Sequence, residues 1–232
     1  MQKGTAGYFR SPGEEEGPAK QDFENRTADV YNMAGQSGTG AGMTDIQSRV
    51  EAVRQAAEAL RARKPVLRIA IDGRCGAGKT TLAACLQELW DCDVFHTDDF
   101  FLRPAQRTAE RLREAGGNVD YERFLREVLD PLEEGRVFSY AAYDCKTRSM
   151  KPAVTVTPKP IRITEGSYSC HPALWDRYDL HVFLTVDPEE QLRRISLRNG
   201  ADLRVFREKW IPMEEQYFSV CRIAERCALV LD

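Results

Sequence analysis

The stretch from Val66 to Leu82, VLRIAIDGRCGAGKTTL, constrains this chain more than any other. Leu67, Ile69 and Ile71 alternate as a buried strand does. The run then breaks at Gly73, and Thr81-Leu82-Ala83-Ala84-Cys85-Leu86 reads as the first turns of an amphipathic helix. Between strand and helix, Gly73, Gly78, Lys79 and Thr80 fit the phosphate-loop pattern G-x-x-x-x-G-K-[ST]. In that pattern the glycines let backbone N–H groups converge on an anion, the lysine ammonium reaches the outer phosphates, and the threonine hydroxyl serves magnesium. The helix N-terminus adds its own positive end at the same point. Gly73, Arg74, Cys75, Gly76, Ala77, Gly78, Lys79, Thr80 and Thr81 are therefore expected to hold the phosphates of a nucleotide.

With 232 residues, 42% hydrophobic and 30% charged, the chain suits one substantial α/β domain with some extra. Lys and Arg number 33 against 36 acidic residues, a formal charge of −3, so no global charge favours nucleic acid or an anionic membrane as partner. The expected partner is a small molecule, and homo-oligomerisation stays open. Seven cysteines, odd in number and never in a C-x-x-C pair, point to reduced thiols and a cytoplasmic home. No apolar run approaches ~18 residues and no signal-peptide core opens the chain, so neither a membrane span nor export is expected.

Residues 1–43 are rich in glycine, carry a Glu14-Glu15-Glu16 run and have few aliphatic side chains, the composition of a disordered tail. Met43 is followed by a cap-like Thr44-Asp45, so a translation start there is the alternative to a genuine tail; N-terminal mass spectrometry of natural protein separates the two. Residues 44–232 form the expected domain. It opens with a helix over 44–64, where Ile46, Val50, Val53, Ala57 and Leu60 recur every three or four residues, read as a packing element without chemistry. Asp93 to His96 is a second strand. Pro104 to Glu134 reads as two helical pieces separated by Gly116-Gly117-Asn118, with Asp120 capping the second. Short extended segments near residues 137–157 suggest a small β excursion. Core strands follow at Pro160–Thr164, Asp179–Val186 and Ala228–Leu231, with a basic helix from Glu189 to Arg198 and another from about Asp202 to Cys221 interrupted near Pro212. Strands alternating with helices predict a five-stranded parallel sheet flanked by helices, the phosphate-loop NTPase architecture.

Asp98 and Asp99 follow the second strand, where open parallel sheets place their ligands. Phosphoryl transfer to a hydroxyl needs a group that orients the nucleophile and takes its proton, magnesium on the outer phosphates, and cations on the migrating charge. Asp98 fits the first role, Thr80 with Glu165 the second, and Arg193, Arg194 and Arg198 the third. His171 beside Cys170 lacks further ligands and reads as structural, and Trp210, Tyr217 and Phe218 read as a packed helix face.

Together these motifs resemble the uridine kinase and phosphoribulokinase group of phosphate-loop kinases, from about residue 66 to the C-terminus. IDGRCGAGKTTLA is similar to the family's opening, HTDDFFLRP to its second-strand motif, NVDYERF to its ribose-binding segment, YDCKTRS to its base pocket, EGSYS to its magnesium-side segment and QLRRISLR to its arginine-bearing lid. The resemblance implies ATP as phosphoryl donor, Mg2+, and a hydroxyl acceptor such as a nucleoside. It implies Asp98 at both the acceptor hydroxyl and magnesium, Phe101 against the substrate, Asp120 on a diol, Tyr143 and Arg148 lining the base pocket, Glu165 near magnesium, and Arg193 and Arg194 on a lid. Arg148 stands where nucleoside-specific members carry a histidine, and its planar donor fork suits a carboxylate or phosphate. A kinase for an acidic metabolite, such as a hydroxy acid or pantothenate-like compound, and a non-catalytic ATP-binding regulator stay open beside the nucleoside kinase.

Overall fold

The structure, a computed structural model, describes residues 40–199 and 203–232; the tail expected over 1–43 falls outside it as far as residue 39. Helix α1 spans Gly40–Arg61 and strand β1 Leu67–Gly73. Helix α2, Lys79–Leu89, starts directly from the glycine turn, and β2, Cys92–His96, runs into a tight 3-10 turn at Thr97–Phe100. The first helical piece expected after Pro104 is smaller than its sequence suggests. Pro104–Gln106 makes one 3-10 turn, and α3 is only Ala109–Arg113, because the Thr108 hydroxyl takes the Arg111 amide and starts a new helix there. Helix α4 runs through Tyr121–Phe124, a widened π turn at Leu125–Leu129, and Asp130–Glu134, with Asp120 as its N-cap.

The excursion is two nested antiparallel pairs: β3 (Phe138–Tyr140) and β4 (Tyr143–Asp144) pair with β6 (Val154–Val156) and β5 (Ser149–Met150), respectively. Strands β7 (Ile161–Glu165) and β8 (Leu180–Leu184) return to the core, followed by α5 (Pro188–Asn199). Helix α6 comprises Leu203–Val205, a π turn at Phe206–Trp210, and Ile211–Cys221. The interruption expected at Pro212 is this wider turn; it accommodates the ring and the missing N–H, and the helix continues through the proline. Helix α7 (Ile223–Arg226) and β9 (Leu229–Leu231) complete the chain.

The sheet order is β2-β7-β1-β8-β9, parallel throughout. Alternation along β1 separates two cores. Ile69 and Ile71 pack with Val50, Val53, Leu82 and Leu86 of α1 and α2. Ala70 faces the other way, toward Phe95, Phe124, Val128, Phe183, Tyr217 and Phe218. Both faces are covered, as parallel sheets require. Among the described residues no helix is long and apolar enough to cross a membrane.

Candidate active site

At the end of β1 the chain must turn where only glycine fits. Gly73 has φ +136°, and a Cβ there would lie 2.0 Å from the Leu184 carbonyl oxygen on β8. Beyond it, every carbonyl from residue 73 to 77 is taken by a donor. Lys79 Nζ donates to Gly73 O at 2.6 Å and Arg74 O at 3.0 Å, Gln191 Nε2 to Cys75 O at 2.9 Å, Arg194 to Gly76 O at 3.3 Å, and Arg49 to Ala77 O at 2.7 Å. With these carbonyls already engaged by donors, less unpaired negative dipole is left to repel an anion at the loop, where α2 begins. Arg49 comes from α1, so the leading helix does more than pack: its guanidinium, 5% exposed, braces the loop from behind.

Beneath the loop lies Asp72, fully buried, which accepts from the amides of Gly73 (2.7 Å), Tyr168 (3.1 Å) and Cys170 (2.8 Å) and from the Tyr217 hydroxyl (2.8 Å). Burial pushes its carboxyl up to about 6, against the pull of these donors and of Lys79. The Arg74 side chain turns away to a bidentate pair with Glu215 (2.6 and 3.1 Å) and to Thr185 Oγ1 (2.8 Å), so Arg74 contributes its backbone to the loop. Burial and Glu214 push the Cys75 thiol up to about 12, which leaves it protonated and a poor nucleophile.

Thr80 and Glu165, the pair expected at magnesium, lie in contact: Thr80 Oγ1 donates to Glu165 Oε1 at 3.1 Å. Both are oxygen donors at the mouth of a phosphate loop, a set suited to Mg2+. His96, at the end of β2, is a neighbour that sequence reading did not assign; its Nδ1 lies 2.6 Å from the same Glu165 oxygen, and the hydrogen bond raises the imidazole pKa. Asp98 is exposed on the turn after β2. The turn after β7 closes against it through Gly166, where a Cβ would stand 2.2 Å from Thr97 Oγ1 and 3.4 Å from Asp98 Oδ1. Thr97 Oγ1 also donates to the Ser167 carbonyl at 3.0 Å, so Asp98 and Glu165 are held side by side by the ends of neighbouring strands.

Phe101 bridges Val119 in antiparallel fashion, and the Asp120 amide donates to Phe100 O at 2.7 Å, which fastens Asp120 beside the Asp98 turn. Asp120, 3% exposed, accepts from the Arg123 amide (3.1 Å) and Gln106 Nε2 (2.7 Å). It forms part of a cavity of about 390 Å³ lined by Leu102, Arg103, Gln106, Arg111, Asp120, Glu122 and Arg126. Arg111 is pinned there by Glu122 (2.7 and 2.8 Å) and lies over the Tyr121 ring. Tyr143 is buried on β4 and Arg148 is exposed on the β4–β5 turn with φ +56°; neither lines this cavity.

On α5, Arg194 reaches the loop. Arg193 points to solvent, 61% exposed at its side chain, and pairs with Glu190 at 2.5 Å. The Arg198 side chain lies outside the described residues. His171 stacks between Tyr121 and Tyr217, and its Nδ1 accepts the Ala173 amide at 3.1 Å. Tyr217 and Phe218 are core residues as expected, whereas Trp210 is only half-buried. Sequence reading missed Asp72, Arg49, Gln191, Glu214 and Glu215. Only Asp72 carried a local signal, an acid placed in an otherwise apolar strand directly before the first loop glycine.

The parallel sheet and the loop at the end of its central strand define a phosphate-loop NTPase fold. Among solved structures it is similar to a candidate uridine kinase from Bacillus stearothermophilus, at 21% identity and TM-score 0.60 over 80% of this chain and 98% of that one. It is also similar to a candidate fructose transport system kinase from Silicibacter sp. TM1040, at 19% identity and TM-score 0.59 over 79% and 98% of the two chains. A third similar fold is the YGR205w protein, at 15% identity and TM-score 0.53 over 75% and 86%. No protein-family profile matches the sequence.

Proposed function

We propose that this protein is an ATP-dependent small-molecule kinase that moves the γ-phosphoryl group of ATP to a hydroxyl, with a nucleoside as acceptor. The observation that carries the reading is the meeting of three turns, after β1, β2 and β7. They bring the phosphate loop, Asp98 and the Thr80–Glu165 pair to one edge of the sheet, next to the Asp120 cavity. In this reading Lys79, aimed by the Gly73 and Arg74 carbonyls, binds the outer phosphates. Asp98 orients the acceptor hydroxyl and takes its proton as the new O–P bond forms and the bond from the γ-phosphorus to the bridging oxygen breaks, with ADP leaving. Asp120 accepts from a substrate diol, and Arg194 faces the migrating charge. Thr80 and Glu165 would hold Mg2+, which supplies charge neutralisation on the phosphates. The seven scattered cysteines support a cytoplasmic setting for this chemistry.

A second reading, a kinase for an acidic metabolite, is favoured by Arg103 and Arg126 on the cavity wall. Thermal-shift and ADP-release screens with Mg–ATP against nucleosides, sugars and hydroxy acids separate the two. Stabilisation by nucleotide alone, with no acceptor speeding ATP loss, would point to a regulator instead. Asp98→Asn should leave ATP affinity nearly intact and lower turnover on the acceptor so found by roughly a hundredfold; unchanged turnover removes Asp98 from the mechanism.

A further inference from the structure

Glu214 is a buried carboxylate, 6% exposed, that none of the motifs announces. Its Oε2 accepts the Cys75 amide of the phosphate loop at 3.0 Å, and its Oε1 accepts the Ser167 hydroxyl at 2.6 Å. Ser167 Oγ in turn lies 3.4 Å from Lys79 Nζ. A loop amide and, through one hydroxyl, the loop lysine are donors of the kind such a loop offers to phosphate. The carboxylate thus stands at the outer wall of the anion site. It cannot be there for packing alone, since burying a charge is costly unless donors compensate it, and a methionine would fill the volume without that cost. Nor does it swing freely. Its neighbours on α6 fasten the same stretch, Glu215 to Arg74 at 2.6 Å and Tyr217 to Asp72 at 2.8 Å.

We propose that Glu214 is a specificity-determining residue of the donor site, a fixed negative charge beside the terminal phosphate that holds down affinity for a triphosphate relative to a diphosphate. The assignment rests on the nucleotide-binding reading above. Inner phosphates are cradled by the backbone where α2 begins, while the lysine serves the outer ones. A charge linked to that lysine through Ser167 therefore acts mainly on the outer end, and it is screened little in a buried site.

The test is calorimetric titration of the full chain with Mg–ATP and with Mg–ADP. Glu214→Gln keeps an acceptor for the Cys75 amide and removes the charge. It should bind Mg–ATP about tenfold tighter than wild type and Mg–ADP within twofold. Should that variant fail to fold, Glu214→Met carries the same expectation. ATP affinity that is unchanged or weaker in a folded variant, or equal tightening of ATP and ADP, overturns the assignment while leaving nucleotide binding intact. A wild-type protein that binds neither nucleotide overturns the kinase reading and this one with it.

Discussion

His171 shows how one buried side chain sets a pH response. Sandwiched between Tyr121 and Tyr217, it is kept neutral: burial, with Arg111 nearby, pulls its pKa down to about 4 from an ordinary 6.5. The unfolded chain therefore takes up this proton before the folded one does. The stability involved is fully present above pH ~6.5 and drains away as the pH falls toward about 4, to a total of about 3 kcal/mol at 1.36 kcal/mol per unit. Melting temperatures of wild type and His171→Asn between pH 7.5 and 4.5 check this. Asparagine retains an acceptor for the Ala173 amide, so the variant should show a flatter acid limb, and parallel curves would dismiss His171 as the cause. The same residue illustrates the reach of sequence reading. A lone Cys-His pair without further ligands is recognisably structural, but the rings on either side of it come from α4 and α6, about 50 residues away in each direction.

At the scale of elements, α1 joins the donor site through Arg49. Replacing it by methionine leaves the buried Ala77 carbonyl without its donor, which costs about 1–3 kcal/mol. Arg49→Met should lower the urea midpoint accordingly and weaken Mg–ATP binding, because the loop loses one of its outward restraints. An unaltered midpoint would return α1 to a purely packing role. The apolar repeat of this helix was plain, from Ile46 through Leu60, and so was the alternation of β1. What the repeat could not disclose is that one polar position on it meets a loop 28 residues later. Glu214 was equally silent, separated from Cys75 by 139 residues, a contact that exists only once the sheet has closed. Fixed local spacing made the loop and Thr80 legible, and Glu165 was read as the acid that ends a core strand. Tyr143 and Arg148 were assigned from the likeness of a short segment and do not line the cavity beside Asp120, whose wall includes Arg103 and Gln106 from the turn before α3 and Arg126 from α4.

For the whole molecule, ligand linkage offers the broadest check. A ligand that binds only the folded state adds about 2.7 kcal/mol at a hundred times its Kd. In a domain of this size each kcal/mol moves the midpoint by about 2–4 °C, so saturating Mg–ATP should raise the Tm by roughly 5–10 °C. Lys79→Ala should abolish most of that shift, and a shift that survives the substitution would mean the nucleotide sits elsewhere. The loop's partners are drawn from α1, α2, α5 and α6, so bound nucleotide ties together elements spread along most of the described chain. That arrangement also sets a timetable for synthesis. Arg74 and Glu215 are 141 residues apart, and at ribosomal rates of about 5–20 residues per second the loop leaves the ribosome roughly 7–30 s before α6 exists to hold it. During that interval the nascent chain has a phosphate-loop sequence but no finished donor site. Until α6 has been made, the loop lacks the Arg74–Glu215 pair and the Cys75–Glu214 contact that hold it in the folded protein.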